Sequence, residues 1–213
     1  MLKLHSFFRS SASYRCRIAL NLKGLAYEPA FVHLVKDGGQ QLAPTYRALN
    51  PQGLLPTLEH EGRVLTQSLA IIEYLEEVWP QPPLLPGDPE TRARVRAFAL
   101  AIACDTGPVN NLRVLRYLKR TMGQEQAVID TWYRHWSESG LQACEALLPS
   151  IRHPFCFGEQ PTLADIVLVP QLYNARRFNT DLSDVPRLVA IDAACCALPA
   201  FANAAPEAQP DAV

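Results

Sequence analysis

Near its N-terminus the chain runs Phe8-Arg9-Ser10-Ser11-Ala12-Ser13-Tyr14-Arg15-Cys16-Arg17-Ile18-Ala19-Leu20, a hydroxyl-rich segment that follows a short apolar strand and opens a helix. Backbone N–H groups and serine hydroxyls then converge on one spot, with the partial positive charge of a helix N-terminus behind them. A thiolate or a carboxylate is stabilised in such a place. A free thiol has a pKa of about 8.5, and a helix N-terminus can bring it to roughly 7 or below. Ser10 or Ser11 can donate a hydrogen bond to the sulfur and favour its charged form. Two later segments, Gly53-Leu54-Leu55-Pro56-Thr57-Leu58 and Thr66-Gln67-Ser68-Leu69-Ala70-Ile71-Ile72, have the order and character to complete the same anion-binding site. Read together, the three segments suggest a thiol cofactor.

The elements that must position these residues follow from apolar period and punctuation. Leu2 and Leu4 alternate with polar neighbours and predict a first strand. A helix over 11–23 ends at Gly24, a good C-terminal stop. A second strand is predicted over 27–34 and is broken by Asp37-Gly38-Gly39. A weak helical stretch follows over 40–49. Segments 57–60 and 63–66 flank Glu61-Gly62 as a hairpin. Ser68 is expected to cap a helix with Leu69, Ile72 and Leu75 on one face. The order β-α-β-α-β-β-α is the thioredoxin-like layout. Residues 80–87, Pro-Gln-Pro-Pro-Leu-Leu-Pro-Gly, have neither period and serve as a linker. Beyond them everything reads as helix. Asp88-Pro89-Glu90 starts a helix carrying Val95, Phe98 and Ile102, which Gly107-Pro108 should kink or end. Leu112, Leu115 and Leu118 continue the pattern. A long helix carries Trp132, Trp136, Ala143 and Leu147, with the tryptophans expected in the core. Thr162-Leu163-Ala164-Asp165 is a capping box with Asp in place of Glu, opening a buried helix. The predicted organisation is an α/β domain over 1–79, a linker over 80–87 and an all-α domain over 88–213.

Composition narrows the function classes. With 213 residues, 48% of them hydrophobic and 19% charged, the chain can bury a sizeable core. A net charge of −1 gives no overall pull toward nucleic acid or a membrane surface. The six cysteines form no Cys-x-x-Cys pair, and their helical positions predict buried free thiols in a reducing compartment. No signal segment or membrane-spanning run is apparent, which predicts a cytoplasmic protein. The five histidines show no metal-ligand spacing, so no metal is expected. Cys195-Cys196 is expected to fill core.

Small α/β domain, Pro-rich linker and helical domain, taken with these motifs, resemble the glutathione transferase fold, and most closely the zeta class of glutathione-dependent maleylacetoacetate and maleylpyruvate isomerases. The resemblance rests on Arg9-Ser10-Ser11, on Arg15 and Arg17-Ile18-Ala19-Leu20, and on Leu49-Asn50-Pro51. It continues through Gln67 to Glu77, Thr162 to Asp165 with Pro170-Gln171, and Arg177-Phe178 with Asp181-Leu182. Any one motif is weak; all in order are specific. Two departures stand out. Ala12 occupies the Cys of the usual Ser-Ser-Cys, so any thiol role there is lost. Gly107 stands where relatives often carry a side chain that reaches glutathione.

Several site assignments are implied by the resemblance. The cofactor is glutathione, with Ser10 favoured over Ser11 as the thiol-activating residue. The cofactor-binding set is Ser10, Ser11, Ala12, Ser13, Tyr14, Arg15, Gln41, Leu55, Pro56, Gln67, Ser68, Asn111, Leu112 and Arg113. Leu55-Pro56 resembles a cis-proline turn that pairs with the peptide of glutathione. Gln67-Ser68 suits its γ-glutamyl carboxylate, and Gln41 is a weaker candidate for the glycyl end. Arg9 and Arg177 match positions that clamp a small dianionic diketo-acid substrate, joined by Arg113. Arg15 and Arg17 are expected in structural pairs or at the rim, and Arg176 facing solvent. The implied reaction is reversible conjugate addition to a cis double bond. A homodimer is implied by the family alone. Maleylpyruvate isomerase, a general transferase acting on electrophiles, and a non-catalytic binding protein of the same fold are the alternatives. The last of these predicts a degraded thiol site, which Ser10, Ser11, Gln67 and Ser68 disfavour.

Convergence of the helix starts predicts that glutathione stabilises the folded chain. At a hundred times its dissociation constant the gain is about 2.7 kcal/mol, measurable as a rise in melting temperature. An unchanged melting temperature at millimolar glutathione would remove the site.

Overall fold

The computed structural model describes residues 1–212 and divides into two units, Met1–Leu84 together with Ala197–Val213, and Leu85–Cys196. In the first unit a four-stranded sheet has the order β2-β1-β3-β4, built from β1 (Leu2–Ser6), β2 (Tyr27–Phe31), β3 (Thr57–His60) and β4 (Arg63–Thr66). β1 runs parallel to β2 and antiparallel to β3, and β3 and β4 form the expected hairpin. At its tip Glu61 and Gly62 both have positive φ, as a tight two-residue connection requires. Pro29 lies opposite Leu4 on β2, an edge strand, where its missing N–H costs no ladder bond. The helices are α1 (Ser11–Leu22), the short α2 (Pro44–Arg47) and α3 (Ser68–Val78). α1 packs on α3, and Leu4, Ile18, Leu20, Leu58, Ile71, Ile72 and Leu75 make a core with no exposed surface. Removing such side chains from water is the main stabilising term.

Three local expectations are corrected here. The second strand stops at Phe31, short of residue 34. His33 folds back, its Nδ1 accepting from the Val35 and Lys36 amides, while Gln40 Oε1 accepts from the His33 amide. Such side-chain bonds compete with a ladder. The stretch over 40–49 is broken into a 3₁₀ turn, Gln40–Leu42, and α2, because Ala43 precedes a proline and is held extended. Ser68 does not cap α3. Gln67 occupies the cap position, and Ser68 is the first helical residue.

The linker begins firmly tied to the first unit. Buried Lys23 donates to the Glu76 carboxylate at 2.8 Å and to the carbonyls of Trp79 and Pro82, and Glu76 accepts from the Leu84 amide. At the other end of the chain, α10 (Pro199–Ala202) packs on α1. The segment from Ala197 onward therefore clusters with the α/β unit, whereas the sequence reading assigned it to the helical domain.

The second unit contains α4 (Pro89–Leu100), α5 (Gly107–Val109), α6 (Leu112–Arg120), α7 (Gln126–Leu147), α8 (Leu163–Arg177) and α9 (Pro186–Cys196). α4 starts at Asp88, whose carboxylate accepts from the Thr91 amide. At the expected Gly107-Pro108 break the helix widens into a π-helical stretch, Ala101–Thr106, before α5. Proline supplies no N–H to the preceding turn, so the hydrogen bonding shifts. The capping box is present. Asp165, fully buried, accepts from the amides of Thr162 and Cys156 at 2.7 and 2.8 Å and from the Thr162 hydroxyl. Burial raises its pKa and the hydrogen bonds partly oppose that.

The buried face of α7 is Ile129, Tyr133, Ser137, Leu141 and Cys144. The tryptophans expected in the core lie beside that face. Trp136 is 38% exposed, and Trp132 is half-buried with its Nε1–H on the Val109 carbonyl. Two cysteines expected to be buried, Cys104 and Cys196, are exposed, although all six are free thiols. Arg176 is exposed, as expected, and also pairs with the buried Asp192 at 2.7 Å.

Gly140 lets α7 approach the π-helical stretch. An added Cβ would overlap the Thr106 hydroxyl, which donates to the Ala101 carbonyl. In an open helix Gly→Ala gains about 1 kcal/mol. Here Gly140→Ala should instead destabilise by about 1–3 kcal/mol through overpacking. Thr106→Ala in the same chain should recover most of that loss in denaturant titrations. A stabilising Gly140→Ala would show that the two helices move apart freely.

Candidate active site

Ser10 is the N-cap of α1, with extended backbone angles of −70° and 116°, and its Oγ accepts the Ser13 amide at 3.2 Å. That bond holds the hydroxyl oxygen and leaves its proton free to donate. Ser11 and Ala12, half-buried, form the first turn, whose amides have no intrahelical partner. Ser13 is fully buried, and its hydroxyl has no partner among the described residues. Tyr14 is buried with its hydroxyl donating to the Phe201 carbonyl. Cys16 cannot serve as the reactive thiol. Burial pushes it up to about 12, against the weaker opposing effect of Arg15 and Arg17. This corner favours a negative charge on a guest and keeps its own nearby sulfur neutral.

Strand register brings the three sequence-predicted segments to one end of the sheet. His5 pairs with Thr57, and Thr57 pairs with Thr66. The chain leaving β1 toward Ser10, the chain entering β3 through Leu55-Pro56, and the chain leaving β4 toward Gln67 therefore emerge side by side. Leu55-Pro56 is cis. Its approach is held by the Leu54 carbonyl, which accepts from the Tyr46 hydroxyl at 2.7 Å and from Asn50 Nδ2 at 2.8 Å. Because Tyr46 donates there, it accepts from the Thr57 hydroxyl. The Leu55 backbone N–H and C=O are bonded to no described residue, as in an unpaired strand edge that can accept a peptide. Tyr46 was not among the residues singled out from sequence, since its tyrosine lies in a segment with little periodicity.

Gln67 has φ +70° and ψ 118°, the left-handed side of the map, where a side chain is strained. Strain of this kind collects at binding sites held by their surroundings. Its Nε2 donates to Gln52 Oε1 at 2.8 Å. Behind it Ser68 is buried, and its hydroxyl accepts from Arg15 Nη1 at 3.3 Å. Arg15 thus joins the starts of α1 and α3 instead of standing at the rim. Gln41 is buried, its Nε2 directed at the Leu34 carbonyl and its Oε1 without a partner among the described residues. Arg9 is exposed, with its guanidinium 5.0 Å from the Phe8 ring centre and 5.8 Å from that of Phe7.

The remaining candidates lie in the helical unit. Asn111 caps α6 by accepting from the Arg113 amide at 3.0 Å, Leu112 is half-buried, and Arg113 is exposed. Gly107 has ordinary helical angles and offers no side chain. Arg177 is the last residue of α8. It is exposed, contacts Asn174 at 3.4 Å and lies over the Phe178 ring, which stacks on buried Tyr133 at 3.6 Å. No carboxylate among the described residues pairs with Arg113 or Arg177 within 4 Å, so both guanidiniums can take an external anion. Burial drives the Tyr133 hydroxyl pKa upward, with nearby Arg177 opposing. Among the described residues no helix is long and apolar enough to cross a membrane, and no group of three metal-ligating side chains comes together.

Comparison with known proteins places the geometry in context. Residues 4–83 match the family model for the glutathione S-transferase N-terminal domain. A maleylpyruvate isomerase of a Ralstonia species is 51% identical over 212 residues, covering 99% of each chain. The holo structure of a maleylpyruvate isomerase, described as a bacterial zeta-class glutathione S-transferase, superposes with a TM-score of 0.96 at 51% identity over 99% of this chain and 100% of that one. A maleylacetoacetate isomerase from Anaeromyxobacter dehalogenans with bound glutathione gives 0.89 at 44% identity, over 100% of this chain and 98% of that one.

Ser10 caps α1 while Ser11 is its first helical residue, so substitution can separate the two expected thiol donors. With Ser10 as the expected donor to a bound thiolate, Ser10→Ala should remove a hydrogen bond worth about 1.5–3 kcal/mol, a rate loss of about tenfold to a hundredfold. Ser11→Ala should cost less. Turnover and the ultraviolet thiolate absorbance of bound glutathione should fall together in Ser10→Ala. A larger loss in Ser11→Ala would reverse the assignment.

Proposed function

The chain belongs to the glutathione S-transferase family, in its zeta class, and on that footing we propose that it is a glutathione-dependent cis–trans isomerase of a maleyl diketo acid, with maleylacetoacetate as the leading substrate. Maleylpyruvate is the second reading, favoured by the 51% identity to the Ralstonia enzyme. The observation that carries the proposal is Ser10, whose oxygen is held by the Ser13 amide while its proton is left to donate at the end of the sheet where the Leu55 and Gln67 segments also emerge. The reading carries with it a cytoplasmic location and a homodimer, as in the family.

The residues present fit glutathione. The unpaired backbone groups of Leu55 suit a peptide, the α3 start at Gln67-Ser68 suits a carboxylate, and the Ser10 hydroxyl with the α1 start suits a thiolate. When bound, glutathione supplies reversible nucleophilic addition to an electron-poor double bond, which allows a cis alkene to turn trans with no net consumption of the thiol. The chain's contribution is electrostatic. Ser10 donates to the sulfur and lowers the cost of its charge, and the first-turn amides of α1 add the field of the helix. By the family resemblance Arg9 and Arg177 are each assigned to a substrate carboxylate, where a guanidinium offsets the negative charge that moves onto the substrate as the double bond is lost. An arginine's planar fork suits that task better than a lysine's point charge.

Arg177→Ala should therefore separate the isomerase from general thiol chemistry. One lost side of a carboxylate clamp costs about 2–5 kcal/mol, so turnover of both maleyl substrates should drop by tens-fold or more. Conjugation of a neutral haloaromatic should barely change, and Arg177→Lys should rescue poorly. Assaying the wild-type chain with both maleyl substrates ranks them. Equal losses on the dianionic and neutral substrates would make Arg177 structural and remove the main support for the isomerase.

A further inference from the structure

The turn that carries Ser10 is held from behind by the far end of the chain. Arg17 is 1% exposed, a charge inside the protein. Its Nη2 donates to the Phe8 carbonyl at 2.9 Å, its Nη1 to the Phe7 carbonyl at 3.4 Å, and its Nε to the Ala204 carbonyl at 2.9 Å. The guanidinium also lies 5.4 Å from the Tyr14 ring centre. The same Phe7 carbonyl accepts the Ser10 amide at 3.0 Å. On the other side of the turn, the Phe8 amide donates to Asp211 Oδ2 at 3.0 Å. Asp211 also interacts electrostatically with Arg17, favouring its charge against the cost of burial. Tyr14 and Asn21 of α1 add bonds to the carbonyls of Phe201 and Ala200. Both backbone groups of Phe8 are thus taken, one by Arg17 and one by Asp211, two residues before the cap.

We propose that Arg17 and Asp211 are positioning residues for thiol activation. They clamp the Phe7-Phe8 peptide groups between α1 and the C-terminal segment, and so hold Ser10 in the geometry that aims its proton at the sulfur. Neither residue touches the reacting atoms. A buried guanidinium satisfied by carbonyls fixes those carbonyls in space, because moving any one leaves a charged donor without a partner. Stiffness in the turn follows, and the segment from Ala197 onward becomes part of the foundation of the thiol site. This inference rests on the proposed thiol chemistry at Ser10 but not on which electrophile is used.

The test is Asp211→Ala beside Asp211→Asn, in the full-length chain. The asparagine keeps an oxygen for the Phe8 amide; the alanine does not. Arg17→Ala risks unfolding the unit, so the tail residue is the sharper probe, and thermal melting checks that both variants fold. Amide hydrogen exchange, without ligand, should accelerate about tenfold or more at Phe8 and Ser13 in Asp211→Ala and stay near wild type in Asp211→Asn. With saturating glutathione, the pH titration of thiolate absorbance should move up by about one unit in Asp211→Ala, leaving about tenfold less thiolate at a fixed pH below the transition. The KM for glutathione should change little, since its γ-glutamyl end is placed at Gln67-Ser68. Unaltered exchange at Ser13 with an unaltered thiol titration in a folded Asp211→Ala would overturn the proposal. So would an Asp211→Asn as impaired as Asp211→Ala, since the hydrogen bond to Phe8 would then not be what matters. A wild-type chain with a depressed thiol pKa and no action on either maleyl substrate would overturn the isomerase reading alone, leaving the clamp to be decided by the exchange and titration data.

Discussion

A single hydrogen bond, from the Ser13 amide to the Ser10 hydroxyl, joins the fold of this protein to its proposed chemistry. It ends the β1–α1 connection, satisfies one of the amides that any helix start leaves open, and leaves the serine's proton free to donate. An ordinary cap is worth about 1 kcal/mol of stability. In the proposed chemistry the same contact also holds the donor, which would make stability and reactivity depend on one geometry. The connection between strand and helix is short, and its peptide groups are held by Arg17, Asp211 and the Phe7 carbonyl. An N-cap that could rotate would still start a helix, but it would not present a proton in a constant direction.

The sheet supplies the second constraint. Antiparallel pairing of β1 with β3 and of β3 with β4 means that the ends of β1 and β4 and the start of β3 meet at one edge. Ser10, Leu55 and Gln67, proposed to meet glutathione, come from the connections at that end. The strands are only four or five residues long, so a slip by one residue would turn Leu4, Leu58 and Leu65 from one face to the other. Burial of Leu4 and Leu58 without exposed surface forbids the slip. The register that places the functional loops is therefore enforced by the core.

In the helical unit the charged groups divide by surroundings. Asp165 and Asp192 are buried and raised by desolvation, one held by the cap amides and the other by Arg176. Arg113 and Arg177 remain exposed. Adjacent arginines thus have different fates, Arg176 tied to a carboxylate and Arg177 open to an anion. Nothing in the residue types distinguishes the two. Their direction on the last turn of α8 does, since one faces α9 and the other reaches back over Phe178.

The order of elements, the α/β layout of the first domain, the helical character of the second, the α1 cap, the hairpin and the capping box at Thr162 are legible in the residues themselves. These features depend on contacts between neighbours: a serine reaches an amide three positions on, a Gly stops a helix, a Pro breaks one. The resemblance to glutathione transferases adds the site as an ordered set of motifs. What the residues alone do not determine depends on groups distant in the chain. Apolar periodicity marks Trp132 and Trp136 as core, but α7 buries the neighbouring stripe through Tyr133 and Ser137, because Gly140 admits the π-helical stretch on that side. Ser68 has every property of a cap, yet Arg15 takes its hydroxyl and the cap position falls to a strained Gln67. A tail of small residues and prolines shows no pattern at all, and only tertiary structure brings Asp211 to the Phe8 amide, 203 positions away. Local hydrogen bonds leave a signature in sequence because their partners are fixed by spacing; a buried charge finds its partners only when the chain has closed around it.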